Sequence, residues 1–196
     1  MGRPTKANSL SRQDVILAAI ACIDAEGSPA LNVSRVARKL GIKPPAIYKH
    51  IPAGNAGLQR AVALVLWQQY MDYCHQRLDD IEDNRDRLLT GWRITRQFAQ
   101  QHPHRYQVMT TFVLQPDDAA AAAIIAETQQ FLAEALQMYG LSQAKLIDAM
   151  RMINATLNGY IAIEQRGNLT LDRSTDDSFE IILDALLVAV EYIRDV

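Results

Sequence analysis

Four side chains able to hold a phosphate or a base edge crowd into the eight positions from 43 to 50: Lys43, Tyr48, Lys49 and His50. A short helix presenting such groups, braced by a helix before it, suits the major groove of double-stranded DNA. The same residues also read as the solvated basic face of an ordinary helical bundle. A second pair, His102 and His104, flanks Pro103. Two imidazoles could begin a metal site, but no carboxylate or cysteine cluster accompanies them and the proline makes the stretch a turn, so no metal is expected. The chain has no nucleotide-binding glycine loop, no nucleophile motif and no helix with paired metal ligands. A catalytic site and a cofactor are therefore not expected, and the rival left standing is a helical enzyme or metal protein built around His102 and His104.

The elements that must carry the first group lie between Asn32 and His50. Asn32 is a good N-cap, and Val36, Ala37 and Leu40 fall on one helical face. Gly41 can take the positive φ that ends a helix, and Ile42 turns inward. Pro44 and Pro45 suit the first turn of a second helix, whose amides lack intrahelical partners in any case. Ile47 and Ile51, four apart, give that helix a buried side and leave Lys43, Tyr48, Lys49 and His50 outward. The spacing reads as a helix-turn-helix. Ahead of it, Ser11 and Asp14 form a capping box that opens a first helix with Ile16, Ala19, Ile20 and Ile23 inward, closed by Gly27.

Charge supports this division. The net charge of -2 divides into nine Lys/Arg against three Asp/Glu over the first sixty residues, then eleven against nineteen. A basic head on an acidic body directs phosphate attraction to one end. The segment Gly2-Arg3-Pro4-Thr5-Lys6 reads either as a plain tail or as an arm whose Arg3 enters the minor groove. The two cysteines, Cys22 and Cys74, argue for a reducing compartment and against a disulfide scaffold. No apolar run approaches a membrane span and no hydrophobic leader follows the basic start, so a cytoplasmic protein without a membrane partner is expected.

The remainder reads as helices. One long helix is expected from about Asn55 to Ile81, roughly 40 Å at 1.5 Å per residue, with Leu58, Val62, Val65, Leu66, Tyr70 and Tyr73 as its stripe. Asp83 to Gln101 gives another, with Leu88, Trp92, Thr95, Phe98 and Ala99 on one side. A short apolar helix contains Tyr106, Met109, Thr110, Phe112, Val113 and Leu114 and ends at Gln115-Pro116. Asp117 and Asp118 open an alanine-rich helix that stops at Gly140. Two final helices follow, Gln143 to Arg166 with Leu146, Met150, Ile153, Leu157 and Ile161, and one capped by Ser174-Thr175-Asp176-Asp177 with Phe179, Ile182, Leu183, Leu186, Val190 and Ile193. Their stripes either pair with those of a second chain around a two-fold axis or complete the monomer's own core.

Val33 to Leu40, Gly41-Ile42, Pro44-Pro45-Ala46-Ile47-Tyr48 and His50 resemble the DNA-binding domain of the TetR (tetracycline-repressor) family of bacterial transcriptional regulators. Gly159-Tyr160-Ile161, Glu164, Gly167, Asp176 through Leu187, His102-Pro103 and Tyr106 resemble the C-terminal domain of its WHG type, with Asn158 where that type has histidine. The head departs from the pattern at Gly54, where a phosphate-gripping lysine is usual, and at Lys43, which replaces a small capping residue. Phosphate contact near Gly54 then falls to backbone amides or to Arg60. The resemblance implies an all-α fold: an N-terminal arm and helix-turn-helix domain over residues 1–54, and a helical effector-binding and dimerisation domain over 55–196. It implies a homodimeric, ligand-responsive regulator, as a repressor on a palindromic operator, paired through the two C-terminal helices. Lys43, Pro44, Pro45, Ala46 and Lys49 would lie along base edges, Tyr48 and His50 would hold phosphates, and Arg3 would read the minor groove. A small-molecule effector pocket is implied in the body, with Trp92, Phe98, Met109, Phe112, Phe131 and Asn154 as candidates, each of which also reads as core. The alternative, prompted by Gly54, is a dimeric helical ligand-binding module that has lost specific DNA recognition.

Overall fold

The capping box predicted at Ser11 is present: Ser11 Oγ accepts the Asp14 amide at 3.1 Å, and the Asp14 carboxylate accepts the Ser11 amide at 2.8 Å. It opens the first of nine α-helices in the structure, a computed structural model that describes residues 10–196. Helix α1 is Arg12–Glu26, α2 Val33–Lys39, α3 Pro44–Tyr48, α4 Gly54–Leu78 and α5 Asn84–Gln101. Helix α6 is Pro103–Thr111, α7 Ala119–Leu136, α8 Gln143–Gln165 and α9 Thr175–Asp195. No strand occurs among the described residues, so the fold is all-α.

The chain divides into two compact units. The first is residues 10–69 with 104–115, and the second is 70–103 with 116–196. Helix α4 contributes its start to the first and its end to the second. In unit one, α1 packs on α2 and α2 on α3. Ile16, Ala19, Ile20, Ile23, Val36, Ile47, Ile51, Leu58 and Val62 are buried, as the helical spacing predicts, and Val15 is buried with them. Helix α6, far away in sequence, is tied in by polar bonds. The Arg105 guanidinium meets the Asp24 carboxylate at 2.7 and 2.6 Å, Trp67 Nε1 donates to the Met109 carbonyl at 3.2 Å, and Ser28 Oγ donates to Gln107 Oε1 at 3.3 Å.

Unit two has a core of Leu88, Leu89, Trp92, Leu136, Ile153, Leu157, Phe179, Leu183, Leu187 and Val190 contributed by α5, α7, α8 and α9. A smaller cluster of Cys74, Leu78 and Ile94, with Tyr70, Tyr73 and Phe131 against it, binds the end of α4 to α5 and α7. Burial there pushes the Cys74 thiol up to about 11, so it stays a neutral apolar filler. Asp83, Asp118, Ser142 and Ser174 each cap a helix through their side chains.

Two boundaries differ from expectation. Helix α6 ends at Thr111, before Phe112, Val113 and Leu114. Thr110 and Thr111 turn their hydroxyls back onto the carbonyls of Tyr106 and Gln107 at 2.8 and 2.7 Å, and Val113 stands exposed. Such back-bonding by β-branched residues loosens the last turn of a helix. Helix α4 ends at Leu78 rather than Ile81, where Ile81 closes a turn onto the Leu78 carbonyl.

Candidate nucleic-acid interface

Asn32 starts α2 as predicted, its side-chain oxygen accepting the Arg35 amide at 2.9 Å. The next orphan amide, that of Val33, is satisfied from a distance: Asn55 Oδ1 on the first turn of α4 accepts it at 2.9 Å. That bond ties α2, the helix before α3, to α4, the helix after it. At the other end of α2, Gly41 takes φ 68°, and the Ile42 amide returns to the Ala37 carbonyl at 3.0 Å. This is the glycine-stopped helix end that leaves last-turn carbonyls paired.

Helix α3 begins with Lys43 in extended backbone at the cap position, without a side-chain cap bond, and with prolines in its first turn. The prolines remove amides that would need a cap. Ile47 and Ile51 are 0% and 1% exposed. Lys43, Pro45, Tyr48 and Lys49 are exposed, and Pro44 and Ala46 are half-buried. His50, expected outward, is half-buried, because the chain is already turning into the loop that precedes α4. The Asp14 carboxyl is held low by its hydrogen bonds to the Ser11 side chain and backbone. Arg3 lies outside the described residues.

The loop after α3 is tight. Ala53 and Gly54 both take positive φ, 65° and 59°. A side chain on Gly57 would sit 1.8 Å from the Pro52 carbonyl oxygen, so only glycine permits this approach. The Tyr48 ring lies against Gly54, 3.4 Å from where a Cβ would stand. Basic groups continue on α2. Arg35, Arg38 and Lys39 of α2 line a surface depression with Cys22 and Glu26, and Arg35 pairs with Glu26.

The remaining candidates are spread over both units. His102 caps α5 with its ring against Phe98 at 5.1 Å, in unit two, while the His104 ring lies beside Gly27 in unit one. No cluster of three or more metal-binding groups occurs among the described residues. Trp92 is buried in the unit-two core with its Nε1 donor unpaired. Phe98 packs edge-on to Tyr70 and Tyr73, and Phe131 is half-buried. Met109 and Phe112 belong to unit one, and Asn154 stands exposed on α8.

Sequence reasoning missed three features. Asn55 and Gly57 carry no local signal, since each matters only through a partner brought there by folding. The third is a buried cation. Arg96 on α5 is 8% exposed and forks onto Glu164 of α8 at 3.0 and 2.5 Å, with Asp176 at 2.8 Å and the Phe179 ring 4.7 Å away. Glu164 and Asp176 hold its guanidinium above its ordinary range, and no spacing rule pairs 96 with 164.

The fold and this interface define a helix-turn-helix protein with a helical body. The tetracycline-repressor-like C-terminal domain profile matches residues 88–186. The chain is 27% identical to the uncharacterised helix-turn-helix-type transcriptional regulator Rv0681 of Mycobacterium tuberculosis, over 97% of this chain and 85% of that protein. Among solved structures, BioQ bound to its double-stranded DNA operator is 23% identical with a TM-score of 0.71, covering 94% of this chain and 99% of the other. A variant of Acinetobacter baumannii TetR in complex with minocycline is 18% identical with a TM-score of 0.71, covering 95% and 99%. These structures share the fold. The chain belongs to the TetR family of transcriptional regulators, whose members are not enzymes.

Proposed function

We propose that the chain works as a homodimeric, ligand-responsive repressor on a palindromic operator, with residues 1–54 reading DNA and 55–196 binding effector and partner. The observation that carries the DNA reading is the outward face of α3, where Pro45, Tyr48 and Lys49 stand exposed on a helix pinned from behind by Ile47 and Ile51. Lys43, Pro44, Pro45, Ala46 and Lys49 lie along base edges, Tyr48 and His50 hold phosphates, and Arg3 reaches the minor groove. BioQ, which shares the fold, is bound to its double-stranded DNA operator, which supports this reading.

Two terminal helices support dimerisation. The stripes that could have served either purpose are interior: Ile153, Leu157, Ile161, Phe179, Leu183 and Val190 are buried within unit two. A second apolar set is left outside it. Ile181, Val188 and Tyr192 on α9 are 56%, 64% and 67% exposed, and Ile147 and Ile163 on α8 are also exposed. Ala155 and Gly159 between the latter two allow close helix approach. For the effector, Trp92, Phe98 and Phe131 in unit two supply an apolar lining, and the unpaired Trp92 Nε1 offers a buried donor. Effector binding favours a state in which the heads no longer match successive major grooves, by as much as its affinity differs between states.

Selection from a random duplex library at about physiological salt, where non-specific binding is weak, tests the proposal. A palindrome is expected, and Lys49→Ala is expected to weaken binding to it about tenfold. A library without enrichment favours the ligand-binding module without DNA recognition that Gly54 suggests, and equal affinity of Lys49→Ala and parent counts against α3 as the reading helix.

A further inference from the structure

The chemistry of α3 restricts which bases it can read, given that it is the reading helix. Ile47 and Ile51 fix its buried side, and the Ile51 amide still returns to the Ile47 carbonyl at 2.9 Å, so helical geometry continues past Tyr48. Lys49 keeps helical backbone angles, φ -68° and ψ -26°. At about 100° per residue, the direction opposite the isoleucines is occupied by Pro45, Ala46 and Lys49. Pro44 and Tyr48 lie to one flank, with Tyr48 against Gly54.

That central face contains two small apolar surfaces and one ammonium. It has no side-chain acceptor and no amide fork. In the major groove adenine shows an amino donor at N6 and cytosine one at N4, which are read by Asn, Gln, Asp or Glu. No Asp or Glu occurs between Glu26 and Asp72, and Asn55 is committed to the Val33 amide. Guanine presents two acceptors, N7 and O6, which suit an ammonium, and thymine presents a 5-methyl group that suits Pro and Ala. The prolines strengthen the case, since they offer ring carbon where another residue would offer a backbone amide.

We infer that this regulator reads its operator through the guanine N7/O6 edge, contacted by Lys49, and the thymine 5-methyl, packed against Pro45 and Ala46, without direct readout of the adenine or cytosine amino groups. Each half-site then contains guanine and thymine adjacent in the groove at the positions under α3. Selectivity is moderate per position, because the lysine ammonium is a mobile point charge rather than the rigid planar fork that arginine presents to guanine.

The test uses the duplex enriched from the random library, rebuilt with single-atom changes in one half-site at a time. Deoxyuridine in place of thymidine removes only the methyl group. A binding loss of about fourfold is expected at one or two positions, the effect of one buried methyl. 7-Deazaguanine removes only N7, and a loss of about fivefold is expected at one guanine. That second loss should vanish in Lys49→Ala, whose affinity is already lowered and which keeps its helical signal by circular dichroism. An enriched operator that tolerates uracil throughout, or a 7-deazaguanine effect undiminished in Lys49→Ala, overturns the inference and leaves the DNA reading standing. An absence of any enriched operator overturns both.

Discussion

The Arg96 guanidinium and the Glu164 carboxylate meet in a two-bond fork between α5 and α8, at 3.0 and 2.5 Å, beneath the start of α9. Both side chains are largely buried, at 9% and 16% exposure. Asp176 in the first turn of α9 completes the site, and the Tyr160 hydroxyl donates to the Thr175 carbonyl at 2.6 Å. Three helices are thus joined by one cation. Arg96→Ala leaves a buried carboxylate without its partner, which costs about 3 kcal/mol or more. Denaturant unfolding should show that loss as a lower midpoint, while Arg93→Ala, which removes an exposed pair with Glu180, should change stability by less than about 1 kcal/mol.

Gly57 supports α3 through the loop after it. Because a Cβ there would lie 1.8 Å from the Pro52 carbonyl oxygen, Gly57→Ala must displace the segment between α3 and α4. An overpacking cost of about 1–3 kcal/mol is expected. Operator affinity should fall with it, as titration of the selected duplex against Gly57→Ala and parent would show.

His75 gives the end of α4 a dependence on pH. Its Nδ1 lies 3.1 Å from Asp79 and its Nε2 3.2 Å from Glu127 of α7, and the ring stands edge-on to Phe131. Only the imidazolium can donate to both carboxylates at once. Asp79 and then Glu127 raise its affinity for the proton above the ordinary value near 6.5. A raised folded-state value contributes stability that is fully present below about pH 6.5 and disappears as pH rises through the folded value. Arg87 of α5, 3.9 Å from Asp79, competes for that carboxylate and moderates the effect. Urea midpoints of the parent and His75→Gln should differ at pH 6 and converge at pH 9, whereas a constant difference would rule out the titration.

Val188 tests the dimer. It lies 64% exposed on α9, in line with Ile181 and Tyr192. Val188→Asp places a charge on an apolar face without touching the unit-two core. Sedimentation should show a dimer for the parent and a monomer for the variant, with helicity unchanged. A parent that sediments as a monomer would remove the interface proposed on α8 and α9.

Much of this protein was legible in the residues alone. Capping side chains at Ser11, Asn32 and Ser174, glycines at 27, 41 and 140, and apolar spacing set the helices, since caps and periodicity act over three to four residues. The same local rules placed Ile47 and Ile51 inward, and with them the outward face of α3. Tertiary structure decided what depended on distant partners. It assigned the C-terminal stripes to the monomer's interior and left Val188 and Tyr192 outside. It joined α6 to the head through Arg105 and Asp24, paired Arg96 with Glu164, and made Asn55 the cap of Val33. Residues separated by 22 to 81 positions carry no periodic trace of one another, so only the folded chain could bring their charges and hydrogen bonds together.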